Sequence, residues 1–272
     1  CRQTPRDAGA RLGLSETKLL YICVVGLMGI VAGLWPILAS PQLRYERYFS
    51  LGNAFGGGVF LGAALIHLLP DAIDSLNSLL GPSLQYPLAS LICASGFLLI
   101  LLIEKVIIAE GEAGMVNAVN VRRYALAPYV LALVLSVHSI IAGIALGAES
   151  SAITSAALFI AIMAHKGVAG FALGVSLRRA HIKRPRAVGL IAFFATMTPR
   201  GIAVGAVLGA LLSGRGAEWF EGIFDALAAG TFLYIAVIDI VESEFAKQGD
   251  AGAKFAMVLL GIAVMALIAV WT

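Results

Sequence analysis

The sequence predicts an all-α polytopic membrane protein of eight transmembrane helices with inverted repeats. Three observations carry this reading. Apolar stretches long enough to cross a bilayer recur along the chain, basic residues gather in alternate connections, and one ten-residue phrase appears on two successive spans. Of 272 residues, 60% are hydrophobic and 13% charged, and the mean hydropathy is +0.94. A soluble domain carries roughly a quarter charged residues, so the deficit calls for an apolar solvent. The formal net charge of +3 gives no ground for a nucleic-acid partner. The three cysteines, Cys1, Cys23 and Cys93, have neither metal-binding spacing nor a disulfide framework.

A spanning helix needs about 20 mostly apolar residues. Such spans are expected at about 18–40, 50–79, 87–109, 124–148, 152–179, 187–213, 217–245 and 251–271. A polar extracytoplasmic tail over residues 1–17 precedes a single transmembrane domain over 18–272. Ser40-Pro41, Gly81-Pro82, Glu149-Ser150-Ser151 and Ser213-Gly214-Arg215 interrupt the apolar runs. Trp35, Trp219 and Trp271 fall near span ends, where an amphipathic ring prefers the interface. One set of alternate loops holds Arg44, Arg47, Arg122, Arg123, Arg178, Arg179, Lys183, Arg184, Arg186, Lys247 and Lys254; the opposite set holds Arg215 alone. Positive-inside bias places the first set in the cytoplasm and both termini outside an inner or plasma membrane. Arg2, Arg6, Arg11 and Lys18 dissent, but the connecting loops agree with one another.

The repeated phrase runs His138-Ser-Ile-Ile-Ala-Gly-Ile-Ala-Leu-Gly147 and His165-Lys-Gly-Val-Ala-Gly-Phe-Ala-Leu-Gly174, or H-x-x-[IV]-A-G-x-A-L-G. Neighbouring spans run antiparallel, so a match between them is an inverted repeat, a mark of secondary transporters with a midplane site. Ala142, Gly143 and Gly147, with Ala169, Gly170 and Gly174, have the spacing that lets helix backbones approach closely. Close packing of the two repeat helices is expected to bring His138 and His165 together.

Three of the four histidines, His67, His138 and His165, lie within spans, as do Asp71, Asp74, Lys166, Arg200, Asp225 and Asp239. Each costs at least a few kcal/mol at the bilayer centre unless paired or hydrated, which makes function the default reading. Neutral imidazole and carboxylate are ligands that borderline divalent metals accept. His138 and His165 at matching repeat positions, with Asp239 on a later helix, point to a metal or proton pathway. The three are expected to converge near the membrane midplane, close enough to share one ion.

The resemblance then becomes specific. Gly58-Val-Phe-Leu61 with His67-Leu-Leu-Pro-Asp71, the pairs His138-Ser139 and His165-Lys166, and Ala228-Ala-Gly-Thr-Phe-Leu-Tyr234 leading to Asp239 together resemble the ZIP (Zrt/Irt-like) family of divalent-metal transporters. The resemblance implies an eight-helix bundle with two inverted three-helix units flanking helices four and five, and a possible homodimer. It implies a divalent metal, zinc first, as transported substrate, no prosthetic group and no enzymatic activity. The metal residues it implies are His138, His165 and Asp239, helped by Ser139, Ser243 or Glu242, with His67 and Asp71 lining the route. Lys166 stands in for the charge of a second metal ion and is not itself a ligand.

The chain departs from the family pattern in three places. Many members carry a glutamate four residues after each motif histidine; here Ala142 and Ala169 fill both positions, so the site is stripped of two anionic ligands. Arg200 follows Thr198-Pro199 in span six, where relatives place an apolar residue. It is expected to line the pathway and to pair with Asp71, Asp74 or Asp239, because an arginine keeps its proton. Between Glu110 and Tyr124 there is no histidine, so the histidine-rich cytoplasmic loop of many relatives is absent. Three other readings stand beside metal transport: a ZIP-fold carrier of an anion or organic solute using Arg200, a transport-dead regulatory relative, and an intramembrane hydrolase using Ser136 or Ser139 with a histidine and Asp239.

Overall fold

The computed structural model describes residues 5–39, 43–81, 86–107, 119–149, 151–208 and 215–270. Eight helices in it are long and apolar enough to cross a membrane. Helix α1 is Pro5–Leu38; α2 runs Leu43–Gly62, through a π-helical segment Ala63–Leu68, to Leu69–Leu80. Helix α3 is Leu88–Leu101 followed by a π-helical Leu102–Ile107, α4 is Val119–Ala148, α5 is Ala152–Arg179 and α6 is Arg184–Leu208. Helix α7 is Arg215–Tyr234 with a π-helical Ile235–Glu242 and a last turn Ser243–Phe245, and α8 is Ala251–Ile268. The protein is a multi-pass integral membrane protein. The first helix reaches back to Pro5, into the segment expected as a tail. The stretch of the histidine-free loop at 108–118 lies outside the described residues.

The helices sort into two bundles. In the first, α4 packs along α6, and α1 lies against α5 and α6; in the second, α2 packs along α8 and α7, and α3 along α7. Exchanging α4 with α5, α1 with α6, α2 with α7 and α3 with α8 maps each major pairing onto another, as an inverted repeat requires.

Glycine seams hold each bundle. A Cβ added at Gly143 would run into the Thr198 carbonyl, and one at Gly205 into the Ile144 carbonyl, so α4 and α6 touch backbone to backbone. Gly174 meets the Gly33 carbonyl in the same way and joins α5 to α1. In the second bundle Gly261 meets the Phe55 carbonyl and Gly230 the Cys93 carbonyl. This corrects the expected packing of the repeat: its glycines do not press α4 onto α5 but seat each helix on a different neighbour. The reason is geometric, since His138 and Gly143 are five residues apart and face different sides of α4.

The three π-helical segments fall in α2, α3 and α7, all in the second bundle. In α2 the cause is legible. Pro70 has no amide hydrogen for the preceding turn, and the Leu69 amide donates to Ala64 O, five residues back. In α7 the Ser243 hydroxyl donates to the carbonyls of Asp239 and Ile240 at 2.6 and 3.0 Å, satisfying groups that the wider turn leaves open.

Candidate metal pathway

His138 on α4 and His165 on α5 face each other, with ring centroids 5.6 Å apart. Both are buried, and Phe232 of α7 lies edge-on to His138 at 4.6 Å. The pair therefore sits where the first bundle meets the second. Neither His138 Nε2 nor His165 Nδ1 has a hydrogen-bond partner. A buried polar atom left unpaired costs about 1–3 kcal/mol, and an imidazole nitrogen with a free lone pair is a ligand for zinc and its neighbours.

Lys166, next in sequence to His165, is 2% exposed. Its ammonium donates to Ser139 Oγ at 3.0 Å and to the Phe194 carbonyl at 3.1 Å, and it lies 3.6 Å above the centre of the Phe194 ring. The Lys166 amino group is thus fixed beside the histidines, and the Ser139 hydroxyl is already engaged. The hydrolase reading loses its support here: among the described residues no serine hydroxyl is hydrogen-bonded to a histidine.

Towards the sparsely charged end of the bundle, His67 lies in the π-helical segment of α2, with Nδ1 2.9 Å from Asp71 Oδ2. Asp225 is half-buried on α7, and Glu221 stands exposed one turn before it. Glu221 was not singled out from sequence; its i,i+4 spacing to Asp225 on one helix face was the available signal.

Towards the basic end lies a cavity of about 730 Å³, lined by Glu104, Lys105, Asp239, Glu242, Lys247 and Arg179 among others. Burial, then the charge of Arg179, pushes Lys247 below its ordinary range. This is where Asp239 and Glu242 stand, and it corrects the expected convergence. The cavity also touches Leu131 and Ala172, seven residues from His138 and His165 on their own helices, and Phe232 is seven residues before Asp239. Seven residues are two turns, about 10 Å at 1.5 Å per residue. Asp239 therefore shares no ion with the imidazoles in this arrangement, and among the described residues no three of His, Cys, Asp and Glu gather in a metal-holding group.

Arg200 is also placed differently from expectation. It is exposed on α6, and no ion pair joins it to Asp71, Asp74 or Asp239 among the described residues. Thr198, Gly201 and Gly205 face the seam with α4, which turns residue 200 away from it.

Comparisons with known proteins identify the family. The profile of the ZIP Zinc transporter family matches residues 15–113 and 109–269. Zinc transporter ZIP1 of Homo sapiens is 30% identical over 290 residues, covering 92% of this chain and 89% of its own length. Zinc transporter 3 of Arabidopsis thaliana is 30% identical over 97% of this chain and 87% of its own. Zinc transporter 1 of Oryza sativa subsp. japonica is 31% identical, over 95% and 84% respectively. With its profile matched along nearly the whole chain, and with eight spans, the protein belongs to the ZIP zinc transporter family.

Proposed function

We propose that the protein carries a divalent cation, zinc first, with iron, manganese or cadmium as further cargo, across a cell membrane towards the cytoplasm. The observation that carries this is the buried pair His138 and His165, which occupy matching positions of the repeat and each keep a nitrogen without a partner. The ion approaches by Asp71 and His67, passes the two imidazoles, and reaches Asp239 and Glu242 in the cavity at the basic end. With Ala142 and Ala169 in place of carboxylates and Lys166 close by, the histidine site holds a cation weakly, which suits passage more than retention. Movement of one bundle against the other around the midplane is the transport step. The relatives' names support zinc as cargo. Positive-inside bias supports a cytoplasmic basic end, with both termini on the opposite face.

The test is zinc flux into proteoliposomes containing the natural chain, competed by a panel of metals, beside His138→Ala and His165→Ala. Flux in the natural chain that both substitutions remove supports the proposal. No metal flux from correctly folded natural protein sinks it.

A further inference from the structure

At the basic end of the molecule Glu244 is wholly buried and saturated. Its Oε1 accepts from Asn53 Nδ2 at 2.8 Å and pairs with Arg179 Nη1 at 2.5 Å. Its Oε2 accepts from Ser50 Oγ at 2.7 Å and Lys247 Nζ at 2.9 Å. Lys254 Nζ donates to the Glu244 carbonyl at 2.7 Å. Ser50 and Asn53 are on α2, Lys254 on α8, and Lys247 follows α7, so all belong with the second bundle. Arg179 is the last residue of α5, in the first.

Arg179 is therefore unlike the other donors. Without it the carboxylate keeps two hydrogen bonds and an ammonium, so its burial does not depend on the guanidinium. What Arg179 adds is a tie between bundles. Arg179 also lines the cavity that holds Asp239 and Glu242, with Ser176 one turn deeper on the same helix. A guanidinium at the loop end of α5 places a fixed positive charge at the outlet of a cavity containing carboxylates, which is a barrier to a departing cation.

We propose that the Arg179–Glu244 pair is the inner gate of this transporter. Formed, as here, it ties α5 to the second bundle at the rim of the cavity. The cavity opens to the cytoplasm when Arg179 leaves Glu244, while Glu244 stays held by Asn53, Ser50 and Lys247. The inference rests on the transport reading above. Arg179 and Glu244 act as positioning residues and do not bind cargo in the closed form.

The experiment reads accessibility. In protein whose native cysteines are replaced, Ser176→Cys is placed as a reporter, and the rate of its labelling by a bulky, impermeant thiol reagent is measured in nanodiscs. Arg179→Gln is expected to speed labelling about tenfold, as loss of a buried partner shifts a closed–open equilibrium. Arg179→Lys restores a slow rate. Arg47→Gln, which breaks the Arg47–Asp250 pair within the second bundle (2.9 Å), leaves the rate within about twofold, as expected of exposed pairs. Glu244→Gln keeps neutral hydrogen bonds with Asn53 and Ser50 but releases Arg179, and speeds labelling too. Unchanged labelling in folded Arg179→Gln and Glu244→Gln overturns the gate, as does equal acceleration by Arg47→Gln. Labelling needs no metal, so a protein that moves no zinc sinks the transport reading while the gate is still decided.

Discussion

The two bundles are built alike and equipped differently. Each is sealed by glycines meeting backbone carbonyls on a neighbouring helix. The first bundle carries the facing imidazoles and the buried Lys166 on unbroken α-helices. The second has a π-helical segment in α2, α3 and α7, and within those segments stand His67, Glu104, Asp239 and Glu242. The difference teaches that the facing imidazole pair and the carboxylates Glu104, Asp239 and Glu242 stand on separate bodies, with His67 the one histidine of the second bundle's π-helical segments. On the proposed route a cation is handed between the bundles.

The largest expected effect tests the seams. Gly205→Ala drives a methyl into the Ile144 carbonyl and is expected to cost about 3 kcal/mol, whereas Gly189→Ala on the same helix meets nothing within 4 Å and gains up to about 1 kcal/mol of helix propensity. Thermal unfolding in detergent compares them; equal midpoints would mean that α4 and α6 are not in backbone contact. Next, His165→Ala is expected to lower zinc flux at least about tenfold, in the range seen when a metal site loses support. Undiminished flux in folded protein would remove the first bundle's imidazoles from the route.

A smaller effect follows from restoring a carboxylate. Ala142→Glu puts one a turn from His138, giving the first bundle the oxygen it lacks. Zinc should bind about tenfold tighter, or about 1.4 kcal/mol, with maximal uptake unchanged or lower. Isothermal titration and flux on one preparation read both, and looser binding would contradict the weak-site argument. The smallest effect is expected of Arg200→Leu. Residue 200 is exposed and turned away from the α4 seam, so stability should shift by no more than about 0.5 kcal/mol, with flux within experimental scatter of the natural chain. A collapse of zinc uptake would return Arg200 to the pathway and revive the anion reading.

Much of this was legible in the sequence because membranes make it so. Every span was visible from apolar length, and the inverted repeat exposed His138 and His165, since a histidine aligned twice among small apolar residues leaves few alternatives. The helix partners of the repeat glycines were not legible, because small-residue spacing says that a backbone comes close and not which one. Asp239 was misplaced for a related reason: seven residues beyond Phe232, it lies two turns from the imidazoles, and nothing local to it marks the wide turn as Pro70 does in α2. Arg179, Lys247 and Lys254 read only as basic loop residues that set orientation, and Glu244 was not singled out; only the meeting of four helices makes that carboxylate their centre. Arg200 looked committed to a partner because its charge is costly at depth, yet a long side chain can reach towards the headgroups instead.

The two-turn separation of imidazoles from carboxylates also sets an order of chemical selection. Magnesium and calcium require six or more oxygen ligands and give up water reluctantly, and at the histidine pair they meet two nitrogens, a ring edge and a resident ammonium. Zinc and its borderline neighbours accept those nitrogens. On the proposed route the less discriminating oxygen ligands of Asp239 and Glu242 come after that pair. Abundant hard cations that enter past Asp71 are then expected to be refused at the imidazoles by ligand type, without a cavity sized to exclude them.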